Sequence, residues 1–111
     1  MEAIKKRYEQ LLQRNKYFYL TTDYTLEMFA SDLGTNRSYT SKFINNEFGV
    51  TFPLFINDLR LSHFLKLKEE NPKAKIKVLA TMSGFKNMYT FRRVFKQKYG
   101  VTPSEYFANK Y

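Results

Sequence analysis

The sequence predicts an all-α fold: two helix–turn–helix units joined by a long linker helix, about seven helices in total. Three observations predict it. Apolar residues recur at helical spacing along the chain, as in Phe91, Val94, Phe95 and Tyr99. Glycines at 34, 49, 84 and 100 punctuate that pattern where helices should stop. One block is also written twice: at an offset of 51, Asn36 falls on Asn87, Lys42 on Arg93, Ile44 on Phe95 and Phe48 on Tyr99. Gly49-Val50-Thr51 likewise falls on Gly100-Val101-Thr102. Upstream of the turn the offset is 50, so Ala30 meets Ala80 and Gly34 meets Gly84, and the second copy has one more turn residue. Two helices joined by a short Gly turn form the helix–turn–helix motif.

The elements follow in order. Residues 2–16 are expected to form an amphipathic helix with Ile4, Tyr8, Leu11 and Leu12 on one face. Tyr17-Phe18-Tyr19-Leu20 is a short apolar patch suited to packing on the next unit. Thr25 caps a helix over 26–33, with Glu27 in the first turn where the helix dipole favours an anion and Leu26, Phe29, Ala30 and Leu33 as its buried stripe. Gly34 stops it, and Asn36 caps a helix from 37 to about 48 that is expected to bury Thr40, Phe43, Ile44 and Phe48. Thr51 caps the linker helix, with Pro53 tolerated in its first turn. That helix runs to about residue 70 with Phe52, Phe55, Ile56 and Leu59 on its core side. Asn71-Pro72 breaks it and 72–75 form a polar link. A short helix over 76–83 has no good cap at Lys75; Gly84 is its turn, and Asn87 caps the second long-faced helix. Thr102-Pro103-Ser104-Glu105 is a capping box with Pro at the first helical position, so a last helix starts there. The domain plan is therefore 1–16 as an N-terminal helix, 17–50 as the first helix–turn–helix, 51–71 as the linker helix, and 72–111 as the second helix–turn–helix with the C-terminal helix.

Composition narrows the function. The chain has 111 residues, enough for one domain or two small ones. It carries nine Tyr and eleven Phe, the material of an aromatic core. With no cysteine it has no disulfide, thiolate nucleophile or Cys-based zinc site, which suits a reducing compartment. No apolar stretch approaches the ~18 residues a membrane span needs, and no signal-peptide pattern opens the chain. The formal charge of +9 divides as +2 over residues 1–23, −1 over 24–71 and +8 over 72–111. Concentration in the last third points to a polyanion met mainly by that third. A membrane surface would satisfy the charge equally well. Enzyme readings fail on inventory: no Ser–His or Cys–His pair has support, no Gly-rich phosphate loop precedes a helix, and the carboxylates form no spaced pair in a pocket. His63, with no second ligand in view, is read as a structural or surface histidine, and no cofactor or metal is implied.

The outward faces of the two second helices supply the candidate site. Arg92 and Arg93 can pair with guanine edges or phosphate. Lys42 holds the equivalent place in the first unit, flanked by Arg37, Ser38 and Ser41. Met88 and Tyr89 suit a thymine methyl or the sugar backbone. Asn36 and Asn87 are caps first, at helix starts that can themselves bind phosphate. Lys86, Lys96 and Lys98 are assigned to phosphate, which sets register rather than sequence.

The pattern A-x3-G-F-x5-F-x-R-x-F-K-x3-G-x-T-P-x2-Y is held by Ala80, Gly84, Phe85, Phe91, Arg93, Phe95, Lys96, Gly100, Thr102, Pro103 and Tyr106. It resembles the DNA-binding domain of AraC/XylS-family transcription regulators. The first unit's LGTNRSYTSKFIN, with Asn57 and Arg60, resembles the same family's first helix–turn–helix and linker helix, and the resemblance covers roughly residues 17–107. It implies seven helices, two of them entering successive major-groove segments of double-stranded DNA, in a bacterial cytoplasmic protein that joins the nucleoid when bound. Many members carry a separate sensor or effector domain, expected to be absent here unless residues 1–16 are its connector. The rival expectation is a helical module that docks RNA polymerase or a partner domain without reading bases. The chain departs from the family pattern at four places. Tyr89 replaces a small residue, Thr40 a buried Leu, Phe64 an Ala and Phe107 an Arg; Thr40 and Phe64 are expected to compensate in volume.

Overall fold

The computed structural model describes residues 2–108. Its helices are α1 (Glu2–Arg14), α2 (Leu26–Asp32), α3 (Arg37–Phe48), α4 (Phe52–Glu70), α5 (Ile76–Met82), α6 (Met88–Tyr99) and α7 (Pro103–Ala108), with a 3-10 turn at Phe18–Leu20 and no strand among the described residues. The seven-helix, all-α expectation holds. Helices α2 and α5 each stop one residue earlier than expected. The connection over 83–87 is one residue longer than that over 33–36, as the change of offset implies.

The caps explain where the helices start. Thr25 Oγ1 accepts from the Met28 N–H at 3.1 Å, Asn36 Oδ1 from Tyr39 N–H at 3.0 Å, and Asn87 Oδ1 from Thr90 N–H at 2.8 Å. Each satisfies an amide that the first turn leaves without an intrahelical partner. The predicted capping box is complete: Thr102 N–H donates to Glu105 Oε1 at 3.0 Å and Glu105 N–H to Thr102 Oγ1 at 3.1 Å. Between the paired helices, Gly34 and Gly84 adopt φ of 67° and 93°, a region that costs a side chain's Cβ a clash. That is why the turn needs glycine.

The chain divides into two compact units, Met1–Ile56 and Asn57–Tyr111, with the boundary inside α4. The first unit is built around rings. Tyr8 of α1 lies within 5.7–6.2 Å of Phe18, Phe29, Phe43, Phe48 and Phe55, centroid to centroid. Phe18 stacks on Phe29 at 5.4 Å. Helix α1 is thus part of the first core through Ile4, Tyr8 and Leu11. Phe48, expected inside, is 41% exposed. It ends α3 at the rim of the core, where one edge still meets Phe55 at 4.8 Å and the other faces water. Leu12, Leu26, Phe52, Leu59 and Tyr99 are likewise half-buried rather than enclosed.

The second unit has its own core, formed by Leu61, Phe64, Leu79, Ala80, Phe85, Phe91, Val94, Phe95 and Phe107. Phe64 is central to it, 4.7 Å from Phe91, 6.2 Å from Phe95 and 5.9 Å from Phe107. The expected volume exchange between Thr40 and Phe64 is therefore wrong. Thr40 is buried in the first unit, where its hydroxyl donates to the Asn36 carbonyl at 2.7 Å. Phe64 fills space beside Phe107 instead, so two departures from the family pattern are neighbours. The buried Lys68 amine donates to the carbonyls of Pro72 and Ala74 at 2.7 and 2.9 Å, tying the link after α4, and lies over the Phe107 ring at 5.6 Å.

Candidate nucleic-acid interface

Helices α3 and α6 each bury one stripe and expose the other. In α3, Thr40, Phe43 and Ile44 are buried while Arg37, Ser38, Ser41, Lys42 and Asn45 are exposed. In α6, Phe91, Val94 and Phe95 are buried while Tyr89, Arg92, Arg93 and Lys96 are exposed. Period 3.6 produces this division, because residues three and four apart share a face. Each unit therefore has a capped helix with a polar, cationic outer surface.

The candidate residues differ in how committed they already are. Arg37 Nε pairs with Glu27 Oε1 of α2 at 3.1 Å. Such an exposed pair is worth ~0–1 kcal/mol, so a phosphate can compete for the guanidinium. Lys42 Nζ lies 5.9 Å from the centroid of the Tyr39 ring. Lys98 Nζ pairs with Asp58 at 3.4 Å, an exposed pair for which a phosphate must likewise compete. Asn36 and Asn87 act as caps, with their side-chain oxygens engaged. Met88 is half-buried against the second core and has little edge to offer a base. Tyr89 is the opposite case, 77% exposed at the start of α6. Lys86 is exposed just before Asn87.

Three features escaped sequence reading. Tyr39 is 53% exposed among the outward residues of α3. It is aromatic within an otherwise polar face, and that signal was available. The other two are tertiary. Arg7 of α1 donates to the Gly34 carbonyl at 3.1 Å and to Leu33 O at 3.5 Å, and Arg14 donates to Asp32 O at 2.8 Å. Both guanidiniums serve the carbonyl end of α2 and the turn into α3, where the helix dipole leaves negative potential. Lys5 adds a 3.2 Å pair with Glu47 near the other end of α3, and that contact raises its pKa. The third feature is a cleft beside α6 that takes in Arg92 and Lys77.

Burial, then Lys66, hold the His63 imidazole below its ordinary value. Among the described residues no cluster of His, Cys, Asp or Glu suits a metal ion. Among the same residues no helix is long and apolar enough to cross a membrane.

Comparison with known proteins agrees with this geometry. A family profile described as a helix-turn-helix domain matches residues 29–109. The TCP pilus virulence regulatory protein of Vibrio cholerae is 34% identical over 87 residues, which are 78% of this chain and 31% of that protein. The chain thus spans about a third of that relative's length. In fold, the chain matches the C-terminal domain of the response regulator AraT from Geobacillus stearothermophilus with a TM-score of 0.80 at 22% identity, over 99% of this chain and 87% of that one. The C-terminal domain of the two-component response regulator yesN from Fusobacterium nucleatum gives a TM-score of 0.75 at 25% identity, over 89% and 96%. With two such helix pairs and a profile match across most of its length, the chain belongs to the AraC-type helix-turn-helix family of DNA-binding transcription regulators.

Proposed function

We propose that this chain binds a specified sequence in double-stranded DNA, with α3 and α6 as recognition helices in successive major-groove segments about one helical turn (~34 Å) apart. The observation that carries the reading is the matched exposure of α3 and α6. Each sets a capped start and a row of exposed polar and cationic side chains opposite a buried stripe. A helix of that build fits the major groove, where base edges present a distinct donor and acceptor code. In this reading residues 17–50 and 72–111 are the two readers and 51–71 link them.

Roles follow from reach and charge. Arg93 pairs with a guanine edge. Ser38, Ser41 and Lys42 probe bases from α3 and Tyr89 does so from α6, while Lys86 and Lys96 meet phosphate. The second half supplies most of the phosphate attraction and the first half more of the discrimination. The test is selection from randomised duplexes followed by competition. Arg93→Ala should cost ~1–3 kcal/mol on the selected duplex and relax preference at one base pair, whereas Lys96→Ala should weaken all duplexes alike. Equal weakening of selected and random duplexes by Arg93→Ala would remove the base-reading role. Failure to enrich any duplex would favour docking on RNA polymerase or another protein.

A further inference from the structure

Beside α6 the second unit has a cleft of about 360 Å³. Ile76 and Lys77 of α5, Met88 and Arg92 of α6, and Thr102 and Ser104 at the start of α7 line it. Two of these side chains are cations and none is an acid. Neither Lys77 nor Arg92 forms an ion pair among the described residues. The half-buried Ile76 and Met88 give the cleft an apolar wall, which strengthens attraction between charges beside it. Ser104 is exposed, whereas the Thr102 hydroxyl is engaged with Glu105, accepting from its N–H and bonding to its carboxylate. The nearest acid in sequence, Glu105, is turned onto the Thr102 N–H at 3.0 Å. A small oxyanion matches this arrangement of the Ser104 hydroxyl and two cations that form no ion pair among the described residues.

The cleft also separates two neighbouring arginines. At 3.6 residues per turn, Arg93 lies about 100° further round α6 than Arg92. Arg92 is on the flank, between the outer face and the core-packed Met88. When a helix lies in a major groove, its centre faces bases and its flanks face the sugar–phosphate walls. We propose that this cleft seats one backbone phosphate of the DNA strand bordering the groove entered by α6, gripped by Lys77 and Arg92. This rests on the DNA-binding mode proposed above. It moves Arg92 from base reading to setting the register in which Arg93 reads.

The test uses the full chain and a duplex enriched by selection, scanned with single methylphosphonates that each remove one phosphate charge. One position flanking the α6 segment should weaken wild-type binding about tenfold, as expected for loss of one charge-assisted contact. In Lys77→Gln/Arg92→Gln the same methylphosphonate should have no further effect, with base preferences unchanged. The slope of log affinity against log salt should become shallower by about 0.9. Lys77→Gln alone, an exposed change on α5, should reproduce part of each effect if the double variant unfolds. The seat is overturned if every methylphosphonate acts equally on wild type and variant, or if Arg92→Gln relaxes preference at a base pair. It is also overturned if inorganic phosphate shifts the Lys77 and Arg92 amide resonances while no methylphosphonate matters, which would mark a site for free anions. A selection that enriches no duplex would overturn the sequence-specific reading and the seat together. Enrichment with an unchanged salt slope in the variant would overturn the seat alone.

Discussion

Replacing Phe64 with alanine should destabilise the second unit's core while leaving the first intact. Phe64 is fully buried, and Phe91, Phe95 and Phe107 crowd it within 4.7–6.2 Å. Truncating a buried Phe to Ala costs ~3–5 kcal/mol, and stiff rings around the void keep it from collapsing, so the upper part of that range is expected. A small domain holds only ~5–15 kcal/mol in total. Urea unfolding would give the loss, and hydrogen exchange would show where it falls: α6 amides should lose protection and α3 amides should keep theirs. A pair of double-mutant cycles sharpens the result. Phe64→Ala with Phe107→Ala should be non-additive by ~0.5–1.5 kcal/mol, the worth of an aromatic pair. Phe64→Ala with Thr40→Val should be additive within ~0.5 kcal/mol, because the two residues belong to different cores. If the Thr40 cycle showed the larger coupling, the division into two separate cores would be wrong.

Three further outcomes are expected. Burial pushes the Tyr8 phenol up to about 12 from an ordinary 10.0, and the Tyr24 phenol is raised by burial and its bond to Asp32. A raised folded-state pKa contributes stability that is complete below pH 10 and lost as pH climbs toward 12, so the first unit should weaken over that window. Tyr8→Phe should flatten the alkaline limb, and an unchanged limb would count against the burial. Arg7→Ala with Arg14→Ala should cost the first unit ~1–3 kcal/mol by thermal unfolding, from loss of the guanidinium bonds to the turn. The salt slope of DNA binding should stay the same; a shallower one would mean these arginines meet phosphate. Asn36→Ala and Asn87→Ala should each cost ~0.5–2 kcal/mol as lost caps, against within about ±0.5 kcal/mol for Ser38→Ala.

What could be read in the sequence was local. Caps at Thr25, Asn36, Asn87 and Thr102 depend on atoms three residues apart, and glycine turns depend on one residue's φ, so a linear string carries them. The repeat added the pairing of α3 with α6, since equal spacing of equal residue types implies equal geometry. Burial was less legible at helix ends. Phe48 and Tyr99 fit their stripes by periodicity, yet each is the last residue of its helix, at the rim of its core, where a ring packs on one side only. The linker helix hid its plan for another reason. Phe55 and Ile56 serve the first core and Leu61 and Phe64 the second, so its apolar residues do not make one stripe.

The candidate site shows the same limit in terms of charge. Counting assigns the first 23 residues +2 and the last 40 residues +8, but a count treats every cation as available. In the first unit, Arg7 and Arg14 already bond to carbonyls of the turn, while Lys5 and Arg37 sit in exposed pairs with Glu47 and Glu27 for which a phosphate must compete. In α6, Lys98 is paired with Asp58, while Arg92 and Arg93 form no ion pair among the described residues. The cations able to meet phosphate are therefore still more concentrated in the second unit than the sequence total suggests. On the proposed reading, the first unit must win its share of binding through fit at Ser38, Tyr39, Ser41 and Lys42. Loss of that fit should appear as lost preference among duplexes at constant salt slope. Loss of the second unit's grip should appear in the slope itself.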